Sequence, residues 1–173
     1  MPTAQAFGWA TAGTLAPIGL VLRKRTIPLA LGLGAIGERV AHLAHAFGMT
    51  VHGVRKRPFL SQPAPHITTI ITPERIEELL PESDVVVNIL PHTSETDKRF
   101  NLAMFRKMKR RAIFINVGRG GTVDEPDLIY ALKHQHIAGA ALDVFEKEPL
   151  PKDSPLWELD NVLLTSHYSS ITP

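Results

Sequence analysis

Short apolar runs alternate with amphipathic segments from residue 27 to the end of the chain. Each run is rich in branched residues and is bounded by polar or turn-forming residues, which is typical of buried strands. These runs are IPLALGL (27–33), MTVHGV (49–54), DVVVNIL (84–90), AIFINV (112–117), AGAALDV (138–144) and NVLL (161–164). Strands that alternate with helical segments predict βαβ units and a parallel sheet covered on both faces.

The segments between the strands predict helices. AIGERVAHLAHAF (35–47) places apolar residues near helical spacing, and Gly48 is well placed to end that helix. Thr72 is predicted to cap a helix that has Pro73 at its first position, and Asp124 to cap another. We therefore expect one α/β domain over residues 27–173, preceded by an irregular N-terminal arm over residues 1–26.

Composition excludes several classes of function. The chain has 173 residues with 19 Lys and Arg, 17 Asp and Glu, and no cysteine. A net charge of +2 is too small to indicate nucleic-acid binding, and no disulfide or cysteine-based metal site is available. The eight histidines form no metal-ligand motif, so we expect no metal. No stretch approaches the roughly 20 apolar residues that a membrane-spanning helix needs.

The first 37 residues contain no Asp or Glu, and the basic residues Arg23, Lys24 and Arg25 follow an apolar run. A secretory signal would place its positive charge before that run. We expect a cytoplasmic protein with an irregular start, and an organelle transit peptide remains the alternative.

Gly32, Gly34 and Gly37 form G-x-G-x-x-G between a predicted strand and a predicted helix, which is the context of a dinucleotide-binding site. Gly32 permits a tight turn, Gly34 lets the backbone approach a pyrophosphate, and Gly37 lets helix and strand pack closely. The helix N-terminus, with Ala35 and Ile36, offers free N–H groups to the phosphates.

The end of the second strand bears on which dinucleotide binds. An NAD site usually has Asp or Glu about 20 residues past the glycines. Arg55 lies 18 residues after Gly37 and is followed by Lys56 and Arg57. Cations at this position favour a 2′-phosphate, so we predict NADP(H), with NAD(H) as the alternative.

Three predicted strands end in residues suited to chemistry. Arg119 follows FINVG, Asp143 follows GAAL with Glu148 shortly after it, and His167 follows NVLLTS. Because the carboxyl ends of parallel strands share one edge, an arginine, carboxylates and a histidine can converge on one crevice. A guanidinium there suits a planar carboxylate substrate.

From about residue 27 onward the sequence resembles the cofactor-binding domain of the D-isomer-specific 2-hydroxyacid dehydrogenases. The matching segments are LGLGAIG, NILPHTSET, MKRRAIFINVGRGG, AGAALDVFEKEPLP and SPLWELDNVLLTSH. The basic VRKRP further resembles the NADP-using glyoxylate/hydroxypyruvate reductase branch. The resemblance implies a Rossmann-type doubly wound parallel sheet and hydride transfer between NADPH and a small 2-oxoacid or 2-hydroxyacid.

Residue roles follow from the same resemblance. Arg119 corresponds to the substrate-binding arginine, Glu148 to the catalytic glutamate and His167 to the acid/base histidine. Asp143 corresponds to the aspartate that contacts the nicotinamide carboxamide. The remaining residues expected along the cofactor are Leu90, Pro91, Thr93, Val117 and Gly118.

The resemblance also implies a second, substrate-binding domain, which these 173 residues largely lack. The sequence therefore predicts a truncated form of the reductase, or alternatively a non-catalytic nucleotide-binding module. Family enzymes commonly dimerise through their cofactor domains, so a homodimer is expected.

Overall fold

A computed structural model of the chain describes residues 28–57 and 66–168. The predicted N-terminal arm lies outside the described residues. Within them, the strands are β1 (Pro28–Leu31), β2 (His52–Val54), β3 (Thr69–Ile71), β4 (Val85–Asn88), β5 (Ile113–Asn116), β6 (Gly139–Leu142) and β7 (Val162–Leu164). All neighbouring strands pair in parallel, in the order β3-β2-β1-β4-β5-β6-β7. The doubly wound parallel fold expected from the sequence is confirmed.

The helices of the described chain are α1 (Ala35–Ala46), α2 (Ile76–Leu79), α3 (Leu102–Lys107) and α4 (Glu125–Lys133). Gly48 has φ +77° directly after the end of α1, as its place in the sequence predicts. The Asp124 carboxylate accepts a hydrogen bond from the Asp127 amide and caps α4, which confirms that prediction. The Asn101 side chain caps α3 in the same way.

The predicted helix after Thr72 is only partly correct. The Thr72 side chain forms no capping hydrogen bond, and the segment begins as a 3₁₀ turn over Pro73–Arg75 before α2. Strand β3, which precedes Thr72, was not predicted. Its first two residues, Thr69 and Ile70, are only partly buried because β3 is an edge strand, so its apolar signal is weak.

The core lies where the central strands meet α3 and α4. Phe100, Phe105 and Phe114 are fully buried, and the ring of Phe114 lies 4.9 Å from that of Phe100 and 5.3 Å from that of Phe105. Such aromatic contacts add stability beyond their buried area. They fix β5 against the segment before α3, and thereby fix the loops that leave the carboxyl ends of β4 and β5.

Candidate functional site

The chain order of the strands reverses direction at β1. From β1 the chain first adds β2 and β3 on one side, and then continues with β4 on the other side. Ligands of open α/β sheets bind outside the carboxyl ends of the strands at such a switch point. Every site residue predicted from the sequence follows the carboxyl end of a strand, or lies in the first turn of the helix after it.

The loop from β1 to α1 is shaped by its glycines. Gly32 has φ +99°, a conformation that favours glycine, and its carbonyl accepts a 2.9 Å hydrogen bond from the Gly34 amide. A Cβ on Gly37 would lie 2.3 Å from the Gly32 carbonyl oxygen, so only glycine fits there. A Cβ on Gly34 would meet no atom within 4 Å. Gly34 therefore leaves an open approach to the N-terminus of α1, the cradle that a pyrophosphate requires.

A cleft of about 740 Å³ opens beside this loop. Its volume is in the range of ligand sites. Of the residues predicted to bind the cofactor, it is lined by Gly32, Gly34, Ala35, Ile36, Gly37, Arg55, Lys56, Leu90, Pro91 and Thr93. The structure thus brings together the loops after β1, β2 and β4. Arg57, Val117, Gly118, Asp143 and the predicted catalytic residues do not line it.

At one end of the cleft Arg55 is held by its neighbours. Nε and Nη2 donate to the Leu33 carbonyl at 3.1 and 2.7 Å, and Nη2 also contacts the Glu38 carboxylate. Lys56, next in the chain, forms a 2.7 Å ion pair with Glu95. We call the part of the cleft lined by Arg55 and Lys56 the Arg55 end. The sequence indicates the cations at this end, but not their pairing with the carboxylates of Glu38 and Glu95, because that pairing depends on the tertiary fold.

The predicted catalytic histidine and glutamate are in contact. Nδ1 of His167 lies 2.7 Å from Oε2 of Glu148, and Oε1 of Glu148 accepts a 3.0 Å hydrogen bond from the Phe145 amide. Both side chains remain more than a third exposed. His167 itself has φ +53°, which is uncommon outside glycine. The loop after β6 and the end of β7 thus jointly build one histidine–carboxylate pair.

The environment of Glu148 keeps it ionised. Burial alone would raise the pKa of this carboxyl, but hydrogen bonds from His167 and the Phe145 amide lower it. The charges of His167 and Arg119 act in the same direction, and the net pKa lies below the usual range. Arg119 is therefore close enough to Glu148 to act on it electrostatically. Its Nη1 donates to the Gly118 carbonyl, and the side chain is exposed.

The other predicted residues lie deeper. Asp143 is buried and accepts a 2.5 Å hydrogen bond from the Thr165 hydroxyl. A Cβ on Gly118 would lie 2.7 Å from the Leu90 carbonyl oxygen, so the loops after β4 and β5 touch through their backbones. The Val117 amide donates to the Asn88 carbonyl. These residues position the loops around the cleft.

A buried network of hydrogen-bonded side chains, not predicted from the sequence, lies beneath these loops. Nδ2 of Asn88 donates to Oδ1 of Asn116 at 3.0 Å and to the Thr122 hydroxyl at 2.7 Å. Oδ1 of Asn116 accepts from the Gly118 amide. Asn88, Asn116 and Thr122 are all buried. The sequence signal for this network is an asparagine at the end of each of two apolar strands, Asn88 and Asn116. A buried amide needs hydrogen-bond partners, so each of these residues predicts a polar neighbour.

Among residues 28–57 and 66–168, no three His, Asp or Glu side chains are grouped so that they could hold a metal ion. In the same residues, no helix combines the length and apolarity that crossing a membrane requires.

A doubly wound sheet, a glycine-rich turn and a cleft at the switch point define a dinucleotide-binding domain. Residues 4–169 match the family model described as D-isomer specific 2-hydroxyacid dehydrogenase, NAD binding domain. The chain belongs to this family, as its motifs indicate.

Curated relatives and solved structures agree with this assignment. The chain is 40% identical over 156 residues to a glyoxylate reductase of Korarchaeum cryptofilum, covering 88% of this chain and 45% of the relative. It is 44% identical over 144 residues to glyoxylate/hydroxypyruvate reductase B of Klebsiella pneumoniae, covering 82% and 43%. A D-isomer specific 2-hydroxyacid dehydrogenase of Xanthobacter autotrophicus, solved with NADPH and MES, superposes with a TM-score of 0.80 at 40% identity, covering 88% of this chain and 62% of that one. The chain thus spans less than half the length of these two curated relatives.

Proposed function

We propose that this chain binds NADP(H) and takes part in hydride transfer between NADPH and a small 2-oxoacid of the glyoxylate or hydroxypyruvate type. The observation that carries the proposal is the 2.7 Å His167–Glu148 pair, which lies near Arg119 on the sheet edge that forms the dinucleotide cleft. A solved relative contains NADPH, and curated relatives are named glyoxylate reductases.

The residues present fit a dinucleotide. The open face of Gly34 and the N-terminus of α1 would take the pyrophosphate. Arg55 and Lys56 would take the 2′-phosphate, with exposed Arg57 near them, and Leu90, Pro91 and Thr93 would flank the cofactor. Asp143, with Val117 and Gly118 beside it, would contact the nicotinamide carboxamide. When bound, the nicotinamide supplies the hydride.

The side chains of the protein would deliver a proton to the substrate and bind its negative charges. Arg119 would hold the substrate carboxylate and stabilise the negative charge that builds on the carbonyl oxygen. Because Glu148 occupies Nδ1 of His167, Nε2 is the ring atom that would deliver the proton to that oxygen. The Phe145 amide fixes the other oxygen of Glu148, so the imidazole keeps one orientation.

A homodimer is part of the proposal. Leu43 on helix α1 is 46% exposed, and Phe47, the residue directly after the helix, is 73% exposed. Their spacing of four residues places them on one face, and a second copy of the chain would cover it. Light scattering on the purified protein measures the mass directly, and a monomer at all concentrations would contradict this part.

The test is to incubate the purified chain with NADPH and glyoxylate and to follow the absorbance of the reduced nicotinamide. We expect oxidation of NADPH that requires glyoxylate or hydroxypyruvate. The same reaction with NADH in place of NADPH should be slower. Replacing Arg55 and Lys56 by Gln should remove the preference for NADPH. Tight NADPH binding without turnover would instead identify a non-catalytic nucleotide-binding module.

A further inference from the structure

Charges of both signs meet at the Arg55 end of the cleft. The Arg55 side chain is 14% exposed, and its Nη2 is paired with the carboxylate of Glu38, which is half exposed in the first turn of α1. Glu38 directly follows the last glycine of the motif. The Glu38 carboxylate thus pairs with Arg55, the arginine that the proposed function assigns to the 2′-phosphate.

The contacts of Arg55 leave part of its guanidinium for a ligand. Nε and Nη2 donate to the Leu33 carbonyl and Nη2 also to Glu38. Within residues 28–57 and 66–168, no acceptor bonds to Nη1. Arg55 is therefore already oriented by a backbone carbonyl, and its remaining terminal nitrogen can bind a phosphate oxygen without releasing Leu33.

We propose that Glu38 sets how strongly the site discriminates between NADP(H) and NAD(H). The proposal rests on the proposed binding of NADP(H). A phosphate on Nη1 and the carboxylate on Nη2 would be separated by little more than the width of one guanidinium. Glu38 repels the 2′-phosphate and neutralises the cation that attracts it, whereas a ribose hydroxyl carries no charge for Glu38 to repel.

Removing this charge separates two roles that Glu38 can have. If Glu38 opposes the phosphate, Glu38→Gln strengthens binding of a 2′-phosphorylated ligand. If Glu38 only orients Arg55, the same variant weakens it. The Leu33 carbonyl accepts two of the Arg55 hydrogen bonds, so the first outcome is the one we expect.

The experiment is calorimetric titration with 2′,5′-ADP and with 5′-AMP, which differ in the 2′-phosphate. The proteins are the unaltered chain, Glu38→Gln and the control Glu78→Gln. Glu78 also pairs with an arginine, at 2.6 Å from Arg75, and does not line the cleft. Unfolding temperatures of all three establish that they are folded.

We expect Glu38→Gln to bind 2′,5′-ADP about 3- to 10-fold more tightly and 5′-AMP within about twofold of the unaltered chain. The gain should shrink at about 0.5 M salt, where exposed charges are screened. The control should change neither affinity. An unchanged or weakened affinity of Glu38→Gln for 2′,5′-ADP would overturn the inference. If the unaltered chain bound both ligands equally, only the predicted preference for NADP(H) would be contradicted. If it bound neither ligand, both proposals would be refuted.

Discussion

His167 and Glu148 lie 19 residues apart in the chain, and their side chains meet at 2.7 Å. The contact depends on the parallel pairing of β6 with β7, which places the loop after one strand beside the end of the next. The sequence motifs identify both residues, but only the pairing of β6 with β7 explains why their side chains are in contact.

His167→Gln should lower turnover of glyoxylate by about 10²- to 10⁴-fold, because the proton donor is lost. NADPH affinity should stay within about twofold, since His167 does not line the cleft. Steady-state rates and calorimetric titration measure the two quantities. His134→Gln, at an exposed position directly after α4, is the control and should retain full activity. Equal turnover in both variants would remove His167 from the proposed mechanism.

Two glycines of the motif should respond differently to alanine. A Cβ at position 34 enters open space, so Gly34→Ala should keep the unfolding temperature within a few degrees and lose at least about tenfold in NADPH affinity. A Cβ at position 37 would strike the Gly32 carbonyl, so Gly37→Ala should lower the unfolding temperature clearly. Thermal unfolding and nucleotide titration check both. Undiminished NADPH binding by Gly34→Ala would argue against a pyrophosphate at this loop.

The buried amide network should contribute to stability. Asn88→Ala removes the donor to Asn116 and Thr122, and should lower the free energy of unfolding by about 1–3 kcal/mol. Urea titration gives the value. Asn101→Ala, which removes the cap of α3, should cost about 1 kcal/mol and serves as the comparison. An Asn88 variant as stable as the unaltered chain would mean that the network is dispensable.

The stability of the fold should depend on pH through His52. This side chain is 7% exposed, its Nδ1 has no hydrogen-bond partner in residues 28–57 and 66–168, and burial lowers its pKa, an effect only partly offset by the nearby charge of Glu82. The unfolded chain therefore binds a proton that the folded chain excludes. The stability that neutral, buried His52 contributes is fully present above the pKa of about 6.5 that this side chain has in the unfolded chain. It is lost as the pH falls through the lower pKa of His52 in the folded chain.

Urea unfolding at a series of pH values between about 5 and 7.5 tests this dependence. His52→Leu should flatten the loss of stability on the acid side, whereas the exposed variant His134→Gln should retain it. Parallel curves for His52→Leu and the unaltered chain would assign the pH dependence to other groups.

The sequence predicted the central sheet because its buried strands carry apolar runs rich in branched residues, and it predicted the cap of Asp124 because capping is local. It did not predict β3 (Thr69–Ile71), an edge strand whose first two residues are only partly buried. It placed Arg55, Lys56 and Arg57 as one cationic group. The pairing of Arg55 with Glu38 and of Lys56 with Glu95 could not be predicted, because these contacts depend on how separate loops meet.

The proposed function and the role of Glu38 both require that the cleft beside Gly34 binds a dinucleotide. Calorimetric titration of the purified chain with NADPH and then with NADH tests it most directly. We predict saturable binding at one site per chain, tighter for NADPH than for NADH. Absence of saturable binding with either nucleotide would mean that this cleft is not a dinucleotide site.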